Sequence, residues 1–167
     1  YMDGEKVSVK AISDKAEAFE GRMEAFIMDF GGDILWNETI GCRLQADESA
    51  DLMSVDTALL AGNRLLYVRI LKDGVTVSEN TFYTRFPKEY EYGCPEISFD
   101  VQECAEGLEL TVSSDRLARG LYLFSDNADD FFEDNYMDLL PGFPRKITVR
   151  TGSTAEEFKT TLKYQTL

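Results

Sequence analysis

From Val7 onward the chain alternates apolar and polar residues with a period of two, and helical periodicity is nearly absent. A two-residue period puts successive side chains on opposite faces of a strand, so a chain written this way builds sheets. Val7, Val9 and Ala11 alternate with Ser8, Lys10 and Ile12 and predict a first strand ending at Ser13-Asp14. The run from Gly21 to Phe30 sets Met23, Ala25 and Ile27 on one face, with Phe26 and Met28 on the other. Gly31-Gly32-Asp33 is a hairpin turn signal. The strand after it carries Ile34, Trp36, Ile40, Cys42 and Leu44 on one face. Glu38 interrupts that face, which predicts a bulge there or an edge position. A polar stretch, Gln45 to Ala50, precedes a short strand at Leu52, Met53 and Val55. Arg64 to Lys72 is a strongly apolar strand, Asp73-Gly74 turns it, and Val75 to Phe86 returns with Val75, Val77, Phe82 and Phe86 available for packing. Six strands with tight turns in so short a span indicate a sandwich rather than a βαβ fold.

Phe86-Pro87-Lys88-Glu89-Tyr90-Glu91-Tyr92-Gly93-Cys94-Pro95 breaks the alternation with two prolines around a polar, tyrosine-bearing stretch. This predicts a domain boundary, with an all-β sandwich over residues 1–87 and another over 94–167. Alternation resumes in Ile97, Phe99 and Val101 and in Leu108, Leu110 and Val112. A third strand buries either Leu121 and Leu123 or their neighbours Tyr122 and Phe124. After an acidic loop come Tyr136 to Leu140, a turn at Pro141-Gly142, and the strand Ile147-Thr148-Val149. Ser153, with Glu156 three residues on, reads as the cap of one short helical turn before a last strand from Leu162 to Leu167. Each half is small for an independent sandwich, so the two halves are expected to pack together, with Tyr90 and Tyr92 of the connector between them.

Composition narrows the function. The formal net charge is −14, which disfavours nucleic acid and anionic membrane surfaces, since both need clustered Lys and Arg. No apolar run approaches the roughly 18 residues of a membrane-spanning helix, and no signal-peptide pattern opens the sequence. Histidine is absent from the 167 residues, which removes the commonest general base and metal ligand and any Ser-His-Asp triad. Cys42, Cys94 and Cys104 have no zinc-ligand spacing. Cys94 and Cys104 flank one strand-length run whose extended ends would lie about 30 Å apart, so all three are read as thiols. No cofactor is implied.

One segment carries a resemblance. Asp134-Asn135-Tyr136-Met137-Asp138-Leu139-Leu140-Pro141-Gly142 is similar to an Asp-Asn-aromatic-x-Asp-Leu-Leu-Pro-Gly run in the C-terminal immunoglobulin-like domain of β-mannosidases of glycoside hydrolase family 2. The strand Arg145-Lys146-Ile147-Thr148-Val149 follows it as in that family. Val77-Ser78-Glu79-Asn80-Thr81-Phe82-Tyr83, then Phe86-Pro87-Lys88-Glu89-Tyr90, resembles the last strand of the family's preceding sandwich and its connector. Phe30-Gly31-Gly32-Asp33-Ile34-Leu35-Trp36 resembles its central hairpin. The resemblance implies two tandem immunoglobulin-like domains and an enzyme that removes terminal β-linked mannose with retention. It also implies partners, a catalytic barrel and N-terminal domains of the same polypeptide, and an extracytoplasmic compartment is favoured for the whole enzyme.

The residues of the motif make sense on physical grounds as well. Proline fixes φ and glycine frees the next position at Pro141-Gly142. Asp134 and Asn135 can bond their own backbone, and Asp138 belongs to the same acidic stretch. Tyr136, Leu139 and Leu140 are expected to anchor the loop in the core. The acidic cluster Asp126, Asp129, Asp130, Glu133, Asp134 and Asp138 does not match a calcium-binding loop: counting from Asp126, position three is Ala128, six is Phe131 and twelve is Met137. It is read as a solvated loop. A retaining glycosidase needs two carboxylates about 5 to 5.5 Å apart, which the resembling enzymes place on a (β/α)8 barrel; no βα repeat exists here. No catalytic residue is therefore assigned. Trp36 is expected in the core, with sugar stacking or contact with another domain as alternatives. Asn37-Glu38-Thr39 is a glycosylation sequon only in a eukaryotic secretory pathway.

Three functions follow from this reading: an architectural accessory region beside a glycosidase barrel, an independent carbohydrate-binding module, or a protein-interaction tandem. The first half also shows six strands where such a sandwich has seven or more. With its first strand beginning by Lys6 and no room before it, the expectation is of a strand upstream of residue 1 and of an exposed sheet edge in its absence.

Overall fold

The structure is a computed structural model that describes residues 2–167. The chain forms two compact units, one of the residues up to Asp29 with Asp33–Glu91 and the other of Phe30–Gly32 with Tyr92–Leu167. In the first unit the strands are β1 (Met2–Asp3), β2 (Lys6–Ile12), β3 (Phe19–Asp29), β4 (Ile34–Leu44), β5 (Ser49–Asp56), β6 (Arg64–Lys72) and β7 (Val75–Phe82). They form a three-stranded sheet, β1-β2-β5, and a four-stranded sheet, β4-β3-β6-β7, with every pairing antiparallel. The six strands expected from alternation are all present. The statement that no strand precedes Lys6 is corrected, because Met2 and Asp3 pair with Val7 and Lys6 across a turn at Gly4.

Burial follows the two-residue period. Met23, Ala25 and Ile27 turn into a core shared with Val7, Ala11, Cys42, Leu44, Val55, Leu60 and Leu66. Each large aliphatic side chain buried this way contributes about 1.5–3 kcal/mol. Strand β4 is the edge of its sheet, as the charge at Glu38 requires. The bulge falls at Leu35 instead: Ile27 pairs with Trp36 and Met28 with Ile34. That slip turns Ile34 outward, so Ile34 is exposed while Trp36 is half-buried against the core. Val75 and Val77 are 67% and 54% exposed and Phe86 is exposed too, so of the four residues expected to pack from this return strand only Phe82 reaches the core. Burial pushes the Cys42 thiol up from its ordinary value, which suits an inert core residue; Cys94 and Cys104 are exposed free thiols.

The second unit contains β8 (Ile97–Cys104), β9 (Gly107–Ser114), β10 (Ala118–Phe124), β11 (Phe131–Phe132), β12 (Met137–Leu139), β13 (Arg145–Arg150), α1 (Ala155–Thr161) and β14 (Lys163–Gln165). A four-stranded sheet, β11-β13-β9-β8, faces a three-stranded sheet, β12-β10-β14. Leu108, Leu110, Val112, Leu121, Leu123, Ile147, Val149 and Phe158 fill the space between them. On β10 it is Leu121 and Leu123 that turn inward, leaving Tyr122 and Phe124 on the outer face. The two-residue strand β11, hidden from periodicity by its length, lies inside the acidic loop and pairs with Arg150 and Val149.

Helix α1 is capped one residue later than the sequence predicts. Thr154, not Ser153, is the cap: its Oγ1 accepts from Glu157 N at 3.3 Å, and Glu157 Oε2 accepts from Thr154 N at 2.9 Å. Ser153 instead donates its own N–H to Thr151 Oγ1. The shift lets Phe158 point into the core and leaves Leu162 as the C-terminal cap, so the last strand starts at Lys163. Among the described residues no helix is long and apolar enough to cross a membrane.

Candidate functional site

The 134–142 segment is a crossing point of side-chain and backbone hydrogen bonds. The Asn135 amide pairs with β10 as a strand residue would: Oδ1 accepts from Leu123 N at 2.7 Å and Nδ2 donates to Leu123 O at 2.7 Å. The same Oδ1 accepts from Tyr136 N at 3.1 Å, and Asp134 Oδ1 accepts from Asn135 N at 2.8 Å. Asp138 Oδ1 accepts from Gly120 N at 2.9 Å, where β10 bends through a left-handed glycine. Leu140 O accepts from Phe143 N at 3.1 Å across Pro141-Gly142, and Gly142 has φ +79°. A proline followed by a left-handed glycine inside such a hydrogen-bonded turn is a type II turn.

Met137, Leu139 and Leu140 are buried, and Pro141 with them. The expectation that Tyr136 anchors the loop in the core is corrected. Tyr136 is 72% exposed and sits in the left-handed region at φ 57°, because the Asn135 amide holds its N–H and turns the chain outward just before β12. Its ring stacks on Tyr122, with centroids 4.7 Å apart, and Tyr122 stacks on Phe124 at 5.5 Å. A row of three aromatic rings therefore crosses the outer face of this sheet.

Beside that row lies a recess of about 320 Å3. Tyr122, Phe124, Phe131 and Phe132 supply its rings, while Ser125, Asn127, Asp130 and Asn135 supply polar groups. Its rim is cross-linked: Ser125 Oγ donates to Asp130 Oδ2 at 2.7 Å and Asn127 Nδ2 to Asp130 Oδ1 at 2.9 Å. The acidic loop read as merely solvated thus has internal order. Asp126 also meets Lys163 in an ion pair. Among the described residues no three His, Cys, Asp or Glu side chains converge as metal ligands. Periodicity could not find the recess, because it needs β11 and the loop folded against β10. The available signal was the pair Tyr122 and Phe124 alternating with two leucines.

The outer face of the first unit's four-stranded sheet holds a second polar cluster. Glu24 Oε2 meets Arg69 Nη2 at 2.7 Å and Glu24 Oε1 meets Arg22 Nε at 3.0 Å. Burial alone would push the Glu24 carboxyl up, but hydrogen bonds and charge from Arg69 and Arg22 outweigh it and hold the group below the ordinary glutamate range. Phe26 stacks on Tyr67, and the Tyr67 hydroxyl bonds Glu79. Asp115 and Glu157 are also displaced downward, chiefly by backbone N–H groups of Glu96 and Thr154.

Two antiparallel sandwiches in tandem, each of a three- and a four-stranded sheet, define the class: immunoglobulin-like β-sandwich modules. The mannosidase Ig/CBM-like domain family matches residues 5–89, and an Ig-fold domain family of mannosidases matches residues 94–167. The chain belongs to the mannosidase immunoglobulin-like domain family. No curated protein matches it. Among solved structures it is similar to the β-D-mannosidase of Dictyoglomus thermophilum, with 21% identity and a TM-score of 0.89 over 99% of this chain and 21% of that one. It is also similar to the exo-chitosanase CsxA of Amycolatopsis orientalis, with 16% identity and a TM-score of 0.62 over 95% of this chain and 24% of that one. At these identities the likeness shows the fold. The chain spans about a fifth to a quarter of the length of those proteins.

Proposed function

We propose that the chain is a non-catalytic accessory region of a β-mannosidase-like glycoside hydrolase, supporting a catalytic barrel and further domains of the same polypeptide. One observation carries the reading: 99% of the chain superposes on a fifth of a β-D-mannosidase, with both sandwiches included. The domain limits we assign, 1–87 and 94–167, lie close to the two matched segments. In the parent enzyme two carboxylates about 5 to 5.5 Å apart would hydrolyse terminal β-mannosides by double displacement, and this region would buttress the barrel that carries them. The motif Asp134, Asn135, Tyr136, Asp138, Leu140, Pro141 and Gly142 has a structural role in this reading, tying β10 to β12.

The test is made on the polypeptide that contains this chain. Deleting residues 1–167 of this numbering should lower the melting temperature and aryl β-mannosidase activity of the remainder, and the purified 167-residue chain should show no turnover. A parent without a (β/α)8 barrel would overturn the reading. So would turnover by the isolated chain that is lost on replacing one of its own Asp or Glu residues.

A further inference from the structure

We propose that the recess between Tyr122, Phe124 and Phe131 of the second unit is a binding subsite for a neutral oligosaccharide. A pyranose ring has an apolar C–H face and a rim of hydroxyls, so a site for it combines aromatic surface with fixed hydrogen-bonding groups. Both are present at this one place, in a recess of about 320 Å3. Phe131 is 57% exposed, held at one edge by pairing with Arg150 and by the Arg150 guanidinium 5.5 Å from its ring centroid. Tyr122, stacked on Tyr136 as well as on Phe124, is fixed in orientation with little open ring face, so Phe131 supplies the exposed aromatic surface.

The polar half of the recess is equally fixed. Asp130 accepts from both Ser125 and Asn127, and a carboxylate with two occupied sites keeps further lone pairs for sugar hydroxyls. Such cross-linking lowers the ordering cost of binding. Charge selects the class of ligand. Asp126, Asp129, Asp130, Glu133 and Asp134 cluster along this loop in a chain of net charge −14, which repels uronates, phosphates and sulfated sugars. The carboxylate and amide in the wall disfavour a purely apolar ligand. A neutral sugar satisfies both conditions; a cationic amino sugar would be drawn by charge as well, an attraction that salt removes. One subsite with this much contact gives a dissociation constant on the order of 1 mM. The site is independent of the accessory reading, which serves only to choose the first probe.

Amide chemical shifts of the isotope-labelled 167-residue chain, titrated to about 10 mM with β-1,4-mannohexaose and separately with cellohexaose, test the proposal. The expected result is saturating shifts confined to the segments around 122–135. Phe131→Ala, at an exposed position, should weaken binding about 2- to 10-fold, and Phe86→Ala, an exposed aromatic of the first unit, should leave it unchanged. Asp130→Asn, which keeps the shape of the side chain, should also weaken it. Absence of shifts with both hexasaccharides, shifts centred elsewhere, or full affinity in Phe131→Ala would overturn it. Cellohexaose binding without mannohexaose binding supports the subsite while counting against a mannan-directed parent. Binding seen only with cationic chitosan oligomers and removed by salt would reduce the recess to non-specific charge attraction and overturn the proposal.

Discussion

Gly142 and Gly152 make a matched pair for asking what one backbone conformation is worth. Gly142 has φ +79° in its type II turn, whereas Gly152 has no positive φ, and open space surrounds the Cβ position at both. Gly142→Ala should therefore cost about 1 kcal/mol through strain alone, and Gly152→Ala should stabilise by about 0.4–1 kcal/mol by restricting the unfolded chain. Urea midpoints of the two variants check this, with opposite signs expected. Asn135→Ala removes three hydrogen bonds at once and strands the Leu123 backbone groups inside the sheet. A loss of about 2–3 kcal/mol is expected, measurable by the same titration. The capacity of Asn135 to bond backbone was legible from its residue type. That it uses this capacity to close a sheet edge was not, since Leu123 lies 12 positions away.

Elements were read well wherever they are long enough to show a period. All six strands expected of the first unit occur, while the two-residue strands β1 and β11 escaped because two residues carry no periodicity. The shifted cap of α1 has an energetic consequence: Thr154→Ala should cost about 1 kcal/mol while Ser153→Ala stays near neutral, seen as a difference in melting temperature. On the sheet of β3 and β6 the Glu24 carboxyl is held below its ordinary range. A group depressed in the folded state contributes stability that is present above the unfolded pKa and disappears as pH falls through the folded value. The stability difference between the wild-type chain and Glu24→Gln should thus be full at pH 7 and shrink below about pH 4, as followed by urea denaturation at several pH values.

For the whole molecule, several carboxylates of the acidic surface have partners within the fold. Asp126 is paired with Lys163, Asp130 with Ser125 and Asn127, and Asp138 with the Gly120 backbone. Melting temperatures in millimolar calcium and in chelator should agree within about a degree; a rise of several degrees reversed by chelator would contradict this. By itself the sequence determined the fold class, the longer strands and the family, since alternation, turn residues and a nine-residue motif are local and survive without neighbours. Tertiary structure decided which face of each strand is buried where both faces are apolar, as on β10 with Leu121 and Leu123 against Tyr122 and Phe124. It also decided the fate of Tyr136 and the existence of the recess. Those depend on contacts between residues far apart in the chain, and their energies come from packing and hydrogen bonds that no local pattern encodes.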